Sequence, residues 1–162
     1  MNTVAASSAT NVSGIRGVYS RFAHLADLLQ SPFLLLVRLY WGGQFIQTGW
    51  GKLHNLGHVK EFFTSLGIPA PAVMAPAISM LEFVGGILLI VGLVTRFATI
   101  PLLIDIGVAI ATTKVPMLLH QGFWPAMHEG RTDFCMVLGL IAILCIGPGR
   151  ISCDAKRFMD GE

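Results

Sequence analysis

Arg38, Glu82 and Asp105 each lie well inside a long apolar run, where a charge is out of place unless it works or is paired. A charge at the centre of a membrane helix costs at least about 2.5–3.5 kcal/mol on insertion scales, so it normally meets a partner or lines a polar path. The chemistry open to such a set is proton handling by the two carboxyls and hydrogen bonding by the guanidinium. Arg38, Glu82 and Asp105 are therefore the candidate catalytic cluster. Three readings stay open. The charges form an ion pair that fixes helix register, they hold a polar ligand or relay protons, or one or more of them faces a partner subunit.

The elements that must position them are four apolar stretches, at about 33–50, 72–94, 97–119 and 132–146. A helix of about 20 apolar residues crosses a bilayer. Composition agrees: 54% of the 162 residues are hydrophobic, 12% are charged and mean hydropathy is +0.69. Soluble domains usually carry about 25% charged residues. The formal net charge is only +2, and the 11 basic residues are scattered without aromatic interleaving, so nucleic acid is excluded as a partner. The predicted fold is all-α, a polytopic four-transmembrane-helix bundle with a short amphipathic N-terminal helix.

Residues 1–14 are Ser/Thr/Ala/Asn-rich and lack a signal peptide's apolar segment. Ile15, Val18, Tyr19, Phe22, Leu25 and Leu29 then recur at helical spacing, with Arg16, Arg21 and Asp27 elsewhere on the wheel, which predicts an interfacial helix over 15–30. Ser31-Pro32 suits the start of the first span. The chain thus divides into an N-terminal segment 1–31, a transmembrane domain 32–150 and a tail 151–162. Within the first loop, Val59, Phe62, Phe63 and Leu66 predict a second short interfacial helix over 58–66, closed by Gly67 and Pro69. Leu93 to Phe97 leaves almost no loop, so the second and third spans form a tight hairpin. Phe123-Trp124-Pro125 belongs at an interface, and Gly147-Pro148-Gly149 ends the fourth span.

At about 100° per residue, the Arg38 stripe carries Gly42, Phe45 and Gly49 and nearly reaches Lys52, while Gln44 and Gln47 lie on other faces. Glu82 shares a stripe with Ala75, Ser79, Gly86 and Leu89. Asp105 shares one with Ala98, Pro101, Ala109, Thr112 and Pro116. Small residues let helix backbones approach closely, so the expected pairing is Arg38 with Glu82, Asp105 or both. Lys114 falls about half a turn off the Asp105 stripe and is expected to snorkel outward instead.

Other chemistry finds little support. None of His24, His54, His58, His120 and His128 lies at mid-span, which argues against an intrinsic haem. His54 and His58, spaced i, i+4, and His120 and His128 on the same membrane side are weak metal candidates beside the reading that they are polar loop residues. Cys135 and Cys145 stand about 15 Å apart on one helix and cannot bridge each other. No nucleotide-binding glycine motif occurs.

Several motifs carry a family likeness. Arg38-Leu39-Tyr40 through Gly49-Trp50-Gly51-Lys52-Leu53 resembles the first-span pattern of the DoxX-like family. So do Gly67-Ile68-Pro69-x-Pro71, Glu82-Phe83-x-Gly85-Gly86 through Gly92-Leu93-x-Thr95-Arg96, and the closing Gly147-Pro148-Gly149-Arg150-x-Ser152-x-Asp154, so that the likeness covers residues 33–154. The resemblance implies a small four-span bacterial inner-membrane protein. Some members are subunits of quinone-linked sulfur-oxidising enzymes, and others sit beside redox or metal-handling partners. On that footing the chain is expected to serve a quinone-linked redox complex, with no intrinsic cofactor and a quinone as the cofactor to consider. Arg38, Gln44 and Lys52 are the candidate residues for holding it. The alternative is a non-catalytic accessory or anchor subunit that stabilises a larger assembly. Expected partners are lipid, other membrane or redox subunits and, as an open option, further copies of the chain.

With four spans both termini share a side with Arg96. That side carries Arg16, Arg21, Arg96, Arg150, Lys156 and Arg157, against Lys52, Lys60, Arg131 and Lys114 towards the other. The positive-inside rule places the richer side in the cytoplasm. A periplasm-only reporter should be active when fused at residue 56 and silent at residue 160, and activity at 160 would reverse the orientation.

Overall fold

The computed structural model describes residues 3–149 and 151–154, with side chains left out at 3–19, 21 and 23–26. The predicted apolar face of Ile15, Val18, Tyr19 and Leu25, its flanking Arg16 and Arg21, and the basic Arg150, Lys156 and Arg157 therefore lie outside the described residues or side chains. Among the described residues every regular element is helical: α1 Thr3–His54, α2 Leu56–Ser65, α3 Pro71–Val91, α4 Thr95–Ala109, a π turn Ile110–Lys114, α5 Val115–Gln121 and α6 Phe123–Ile146.

Two runs, Pro71–Val91 and Thr95–Gln121, are long and apolar enough to cross a membrane. Large apolar side chains point outward along all four long helices, among them Leu36, Ile87, Ile104 and Leu138. Such a surface is unsuited to water. The inward faces meet in one core of Phe45, Leu89, Leu102, Ile106, Met136, Leu140 and Ile143. The predicted stripes of α1 and α3 hold, since Gly42, Phe45 and Gly49 on α1 and Ala75, Ser79, Glu82, Gly86 and Leu89 on α3 are all buried, whereas on the Asp105 stripe only Ala98 is buried, Pro101, Asp105, Ala109 and Thr112 are half-buried and Pro116 is exposed.

Three boundaries differ from expectation. Residues 15–30 are the N-terminal part of α1, which runs through Pro32 without a break. The helix that holds the last apolar stretch, α6, begins at Phe123 rather than near 132, because Phe123-Trp124-Pro125 forms its first turn, where a proline costs no helical hydrogen bond. The third apolar stretch is not one regular helix, because the π turn Ile110–Lys114 interrupts it. The α3–α4 hairpin and the short helix α2 lie where the sequence places them.

The hairpin is closed from outside itself. Gly92 ends α3 at φ +72°, donating its N–H to the Leu88 carbonyl. Val94 then takes φ +49°, a left-handed conformation costly for a β-branched residue. Asp154, returning from the far end of the chain, holds it there. Its Oδ1 accepts from the Val94 amide at 2.7 Å, and Oδ2 accepts from the Thr95 amide at 2.9 Å and the Thr95 hydroxyl at 2.8 Å. These are the orphan donors of the first turn of α4, so Asp154 caps a helix 59 residues before it. Its own amide donates to the Gly92 carbonyl at 2.9 Å.

Partial burial pushes the Asp154 carboxyl up, but the hydrogen bonds from Thr95 and Val94 and the nearby Arg38 outweigh it and hold the group below its ordinary value. A carboxyl that titrates lower when folded than when unfolded contributes fully above the ordinary value of 3.8 and progressively less as acid protonates the folded form. Asp154→Ala should therefore cost about 1–2 kcal/mol near neutral pH, as for other lost helix caps. Denaturation in detergent at pH 7 and again below pH 4 checks this. The gap between wild type and variant should narrow in acid, and a gap independent of pH would contradict the assignment.

Candidate functional site

The antiparallel packing of α1 on α3 decides which charges can meet. A Cβ added at Gly42 would stand 2.9 Å from the Gly86 carbonyl oxygen, and one at Gly86 would stand 2.7 Å from the Gly42 carbonyl oxygen. At Gly49 it would stand 2.5 Å from the Phe83 amide nitrogen. The backbones touch at both places, so the register is fixed by contacts that only glycine permits. In that register Arg38 lies level with the C-terminal end of α3 and Lys52 lies level with Glu82.

The expected pairing of Arg38 with Glu82 or Asp105 is therefore corrected. Arg38, 1% exposed, donates to the Pro148 carbonyl at 2.6 Å, the Ile151 carbonyl at 2.9 Å and the Ile90 carbonyl at 3.4 Å. Its charge faces the negative end of α3 and, further off, Asp154. The stripe argument placed Arg38 on the right face but at the wrong depth. Lys52 stands 14 residues further along α1, a rise of about 21 Å.

Glu82 instead meets Lys52, with Nζ to Oε1 at 2.6 Å. Glu82 is 4% exposed, whereas a third of the Lys52 side chain remains accessible. The α3–α4 register that seats Leu102 against Gly85 brings Asp105 opposite Glu82. Asp105 is in electrostatic contact with both Glu82 and Lys52 and comes close enough to Glu82 to share a hydrogen bond when one of the two carboxyls holds a proton. With both ionised, Glu82 Oε2 is buried without a donor.

These three groups form the polar end of a cavity of about 330 Å³. Its walls are mainly apolar, from Phe62 and Phe63 on α2, Ile78 on α3, Ile68 in the loop between them, and Ile106 and Val108 on α4. Val59 and Phe63 of α2 pack on Ala75 of α3, which anchors that wall. The π turn completes the lining with Thr112 and Thr113. Single widened turns of this kind occur often at functional sites. A mostly apolar cleft with a few convergent polar groups is the usual form of a small-molecule site.

Of the residues singled out in the sequence, Lys52, Glu82 and Asp105 come together here. Arg38 and Gln44 do not line the cavity. His58 does, while His54 donates through Nδ1 to the Trp50 carbonyl at 2.9 Å and packs against the Trp50 ring. No cluster of three or more metal-ligating side chains occurs among the described residues. Lys114 faces Glu129 at 3.5 Å and Asp133 at 3.8 Å rather than Asp105. A larger cavity of about 640 Å³ lies at the other end, lined by Val94 to Phe97, Ile146 to Gly149 and Asp154. Its two charged residues are Arg96 and the capping Asp154. Sequence reasoning missed that cap, and missed that Lys52 rather than Arg38 partners Glu82. Lys52 at the edge of the Arg38 stripe and Asp154 in the closing motif were the available signals.

Comparison with known proteins finds likeness to membrane proteins. The sequence model described as DoxX matches residues 33–115. Rv3486 of Mycobacterium tuberculosis, named as a membrane protein, is 40% identical over 134 residues, covering 77% of this chain and 81% of its own length. The Escherichia coli inner membrane protein YqjF is 26% identical over 128 residues, 78% of this chain and 92% of its own. CatD of Bacillus subtilis, named "putative oxidoreductase", is 28% identical over 124 residues, 76% of this chain and 86% of its own. No solved structure matches the chain.

Lys52→Met should be markedly destabilising, by about 3–5 kcal/mol, because it leaves a buried carboxylate without its counter-charge. Lys52→Met combined with Glu82→Gln should recover most of that loss. Equal melting temperatures for Lys52→Met and wild type in detergent would show that the pair is not buried as described.

Proposed function

Since this chain belongs to the DoxX family of membrane proteins, we propose that it is a four-span inner-membrane subunit of a quinone-linked redox assembly, with the Lys52–Glu82–Asp105 cavity seating the quinone head group. The observation that carries this reading is the union, in one cavity, of apolar walls with an ammonium and two carboxyls. The residues fit such a group. Phe62, Phe63 and Ile78 offer an apolar slot for a flat ring, and Lys52 has N–H groups beyond the one given to Glu82 with which to orient a ring oxygen. Glu82 and Asp105 can hold or release a proton at the cavity's polar end. A bound quinone supplies the electron-carrying chemistry that side chains lack.

The four-span arrangement has support beyond the two runs that meet the length and composition test. The outward faces of α1 and α6 carry Phe33, Leu36, Leu138 and Ile141 over the lengths that remain apolar. The Lys/Arg distribution favours cytoplasmic termini. No span places a histidine at mid-depth and no cysteine cluster suits iron–sulfur, so the electrons are assigned to a partner protein.

Arg38 favours a second reading for its own end of the bundle. Its guanidinium donates to carbonyls of the chain's own helix end and tail, which is a structural duty suited to an anchor subunit. The two readings separate on purification into lipid nanodiscs from native membranes, followed by solvent extraction and quinone quantification. The redox reading predicts quinone retained near one per chain and largely lost in the Lys52→Met, Glu82→Gln double variant. Stable, partner-bound protein with no quinone above the level of empty nanodiscs would leave the anchor role.

A further inference from the structure

The hydrogen-bonding inventory of the cavity is one-sided. Glu82 is buried, and its Oε2 has no donor among the described residues when both carboxyls are ionised. Asp105 adds two further acceptor oxygens beside it. The Thr112 hydroxyl spends its hydrogen on the Val108 carbonyl at 2.8 Å, and the Thr113 hydroxyl on the Ala109 carbonyl at 2.6 Å. Both threonines therefore turn only lone pairs toward the cavity. Against these acceptors stand only Lys52, with one N–H already committed to Glu82 Oε1 at 2.6 Å, and the single ring N–H of neutral His58 on the exposed side of the lining. A proton shared between Glu82 and Asp105 satisfies one oxygen and leaves the excess of acceptors in place. A ligand that brings only acceptors sets lone pair against lone pair beside the buried Glu82 carboxyl, and buried groups left unmatched discriminate strongly between otherwise similar ligands.

Resting on the quinone reading of this cavity, we propose that the site selects the reduced, hydroxyl-bearing quinol over the oxidised dicarbonyl form. A quinol hydroxyl donates to Glu82 Oε2 or to Asp105, while an N–H of Lys52 reaches a ring oxygen. The dicarbonyl form can accept from Lys52 or His58 but leaves Glu82 Oε2 unmatched. Glu82 is the residue that reads the difference. Its amide counterpart offers a donor as well as an acceptor, so Glu82→Gln suits the carbonyl form and removes the bias.

The test is anaerobic calorimetric titration of the full chain in lipid nanodiscs with 2,3-dimethyl-1,4-naphthoquinone and, separately, with its quinol. The quinol should bind at least about tenfold more tightly, in line with sites that read a hydroxyl. In Glu82→Gln the ratio should fall to about one or invert, and Asp105→Asn should reduce it. The wild-type ratio stands even where a variant fails to fold. Equal affinities, or tighter binding of the quinone, would overturn the selectivity and leave the quinone site standing. Binding of neither form would overturn the quinone reading itself, and the selectivity with it.

Discussion

Where α1 crosses α3, two helices meet with almost nothing between their backbones. A methyl group at Gly49 would lie 2.5 Å from the Phe83 amide nitrogen and 2.8 Å from the Ser79 carbonyl oxygen, and Gly42 and Gly86 exclude each other's side chains in the same way. Contact this close leaves no freedom to slide. Once α1 and α3 are fixed, Lys52 has one carboxylate within reach and Arg38 has none. The α3–α4 hairpin, capped by Asp154, then delivers Asp105 to the same depth as Glu82. Any side chain at Gly49 or Gly86, alanine included, would be felt first as a lost ion pair and only second as lost packing.

The result is a division of charge between the two ends of the bundle. At one end Arg38 gathers carbonyls from α3 and from the segment after α6, and Asp154 binds the amides that open α4. Both groups work on the backbone, and together they tie the end of the chain to the hairpin. At the other end Lys52, Glu82 and Asp105 surround open space instead of closing on the backbone. That contrast is why the second end is the candidate site. A buried carboxylate oxygen without a donor is expensive to keep for stability alone.

The sequence and the structure agree on faces and disagree on depth. Helical periodicity gave the buried stripes of α1 and α3 residue by residue, because the 3.6-residue period fixes which side a residue occupies. It says nothing about how far one helix is shifted along its neighbour, which is why the stripes alone match Arg38 to the level of the Glu82 and Asp105 carboxyls instead of to the carbonyl-rich end where it lies. Asp154 was legible as part of a motif but not as a cap, since its partners Val94 and Thr95 lie about sixty residues earlier. The π turn at Ile110–Lys114 carries no glycine or proline of its own to announce it. The α2 helix was legible because Val59 and Phe63 alternate with polar residues at helical spacing, and its role as a cavity wall was not, because that depends on where α3 and α4 stand.

The claim on which the account turns is that Lys52, and not Arg38, neutralises Glu82. Solid-state nuclear magnetic resonance in lipid bilayers tests it directly, by recoupling the Glu82 carboxyl carbon to the side-chain nitrogens of lysine in one sample and of arginine in another. An ammonium 2.6 Å from Oε1 should dephase the Glu82 carboxyl signal strongly, and Lys52→Met should abolish that effect. Arginine labelling should leave the signal untouched and should instead reach the Pro148 carbonyl. Strong coupling of the Glu82 carboxyl to Arg38, with none to Lys52, would contradict the register and the site built on it.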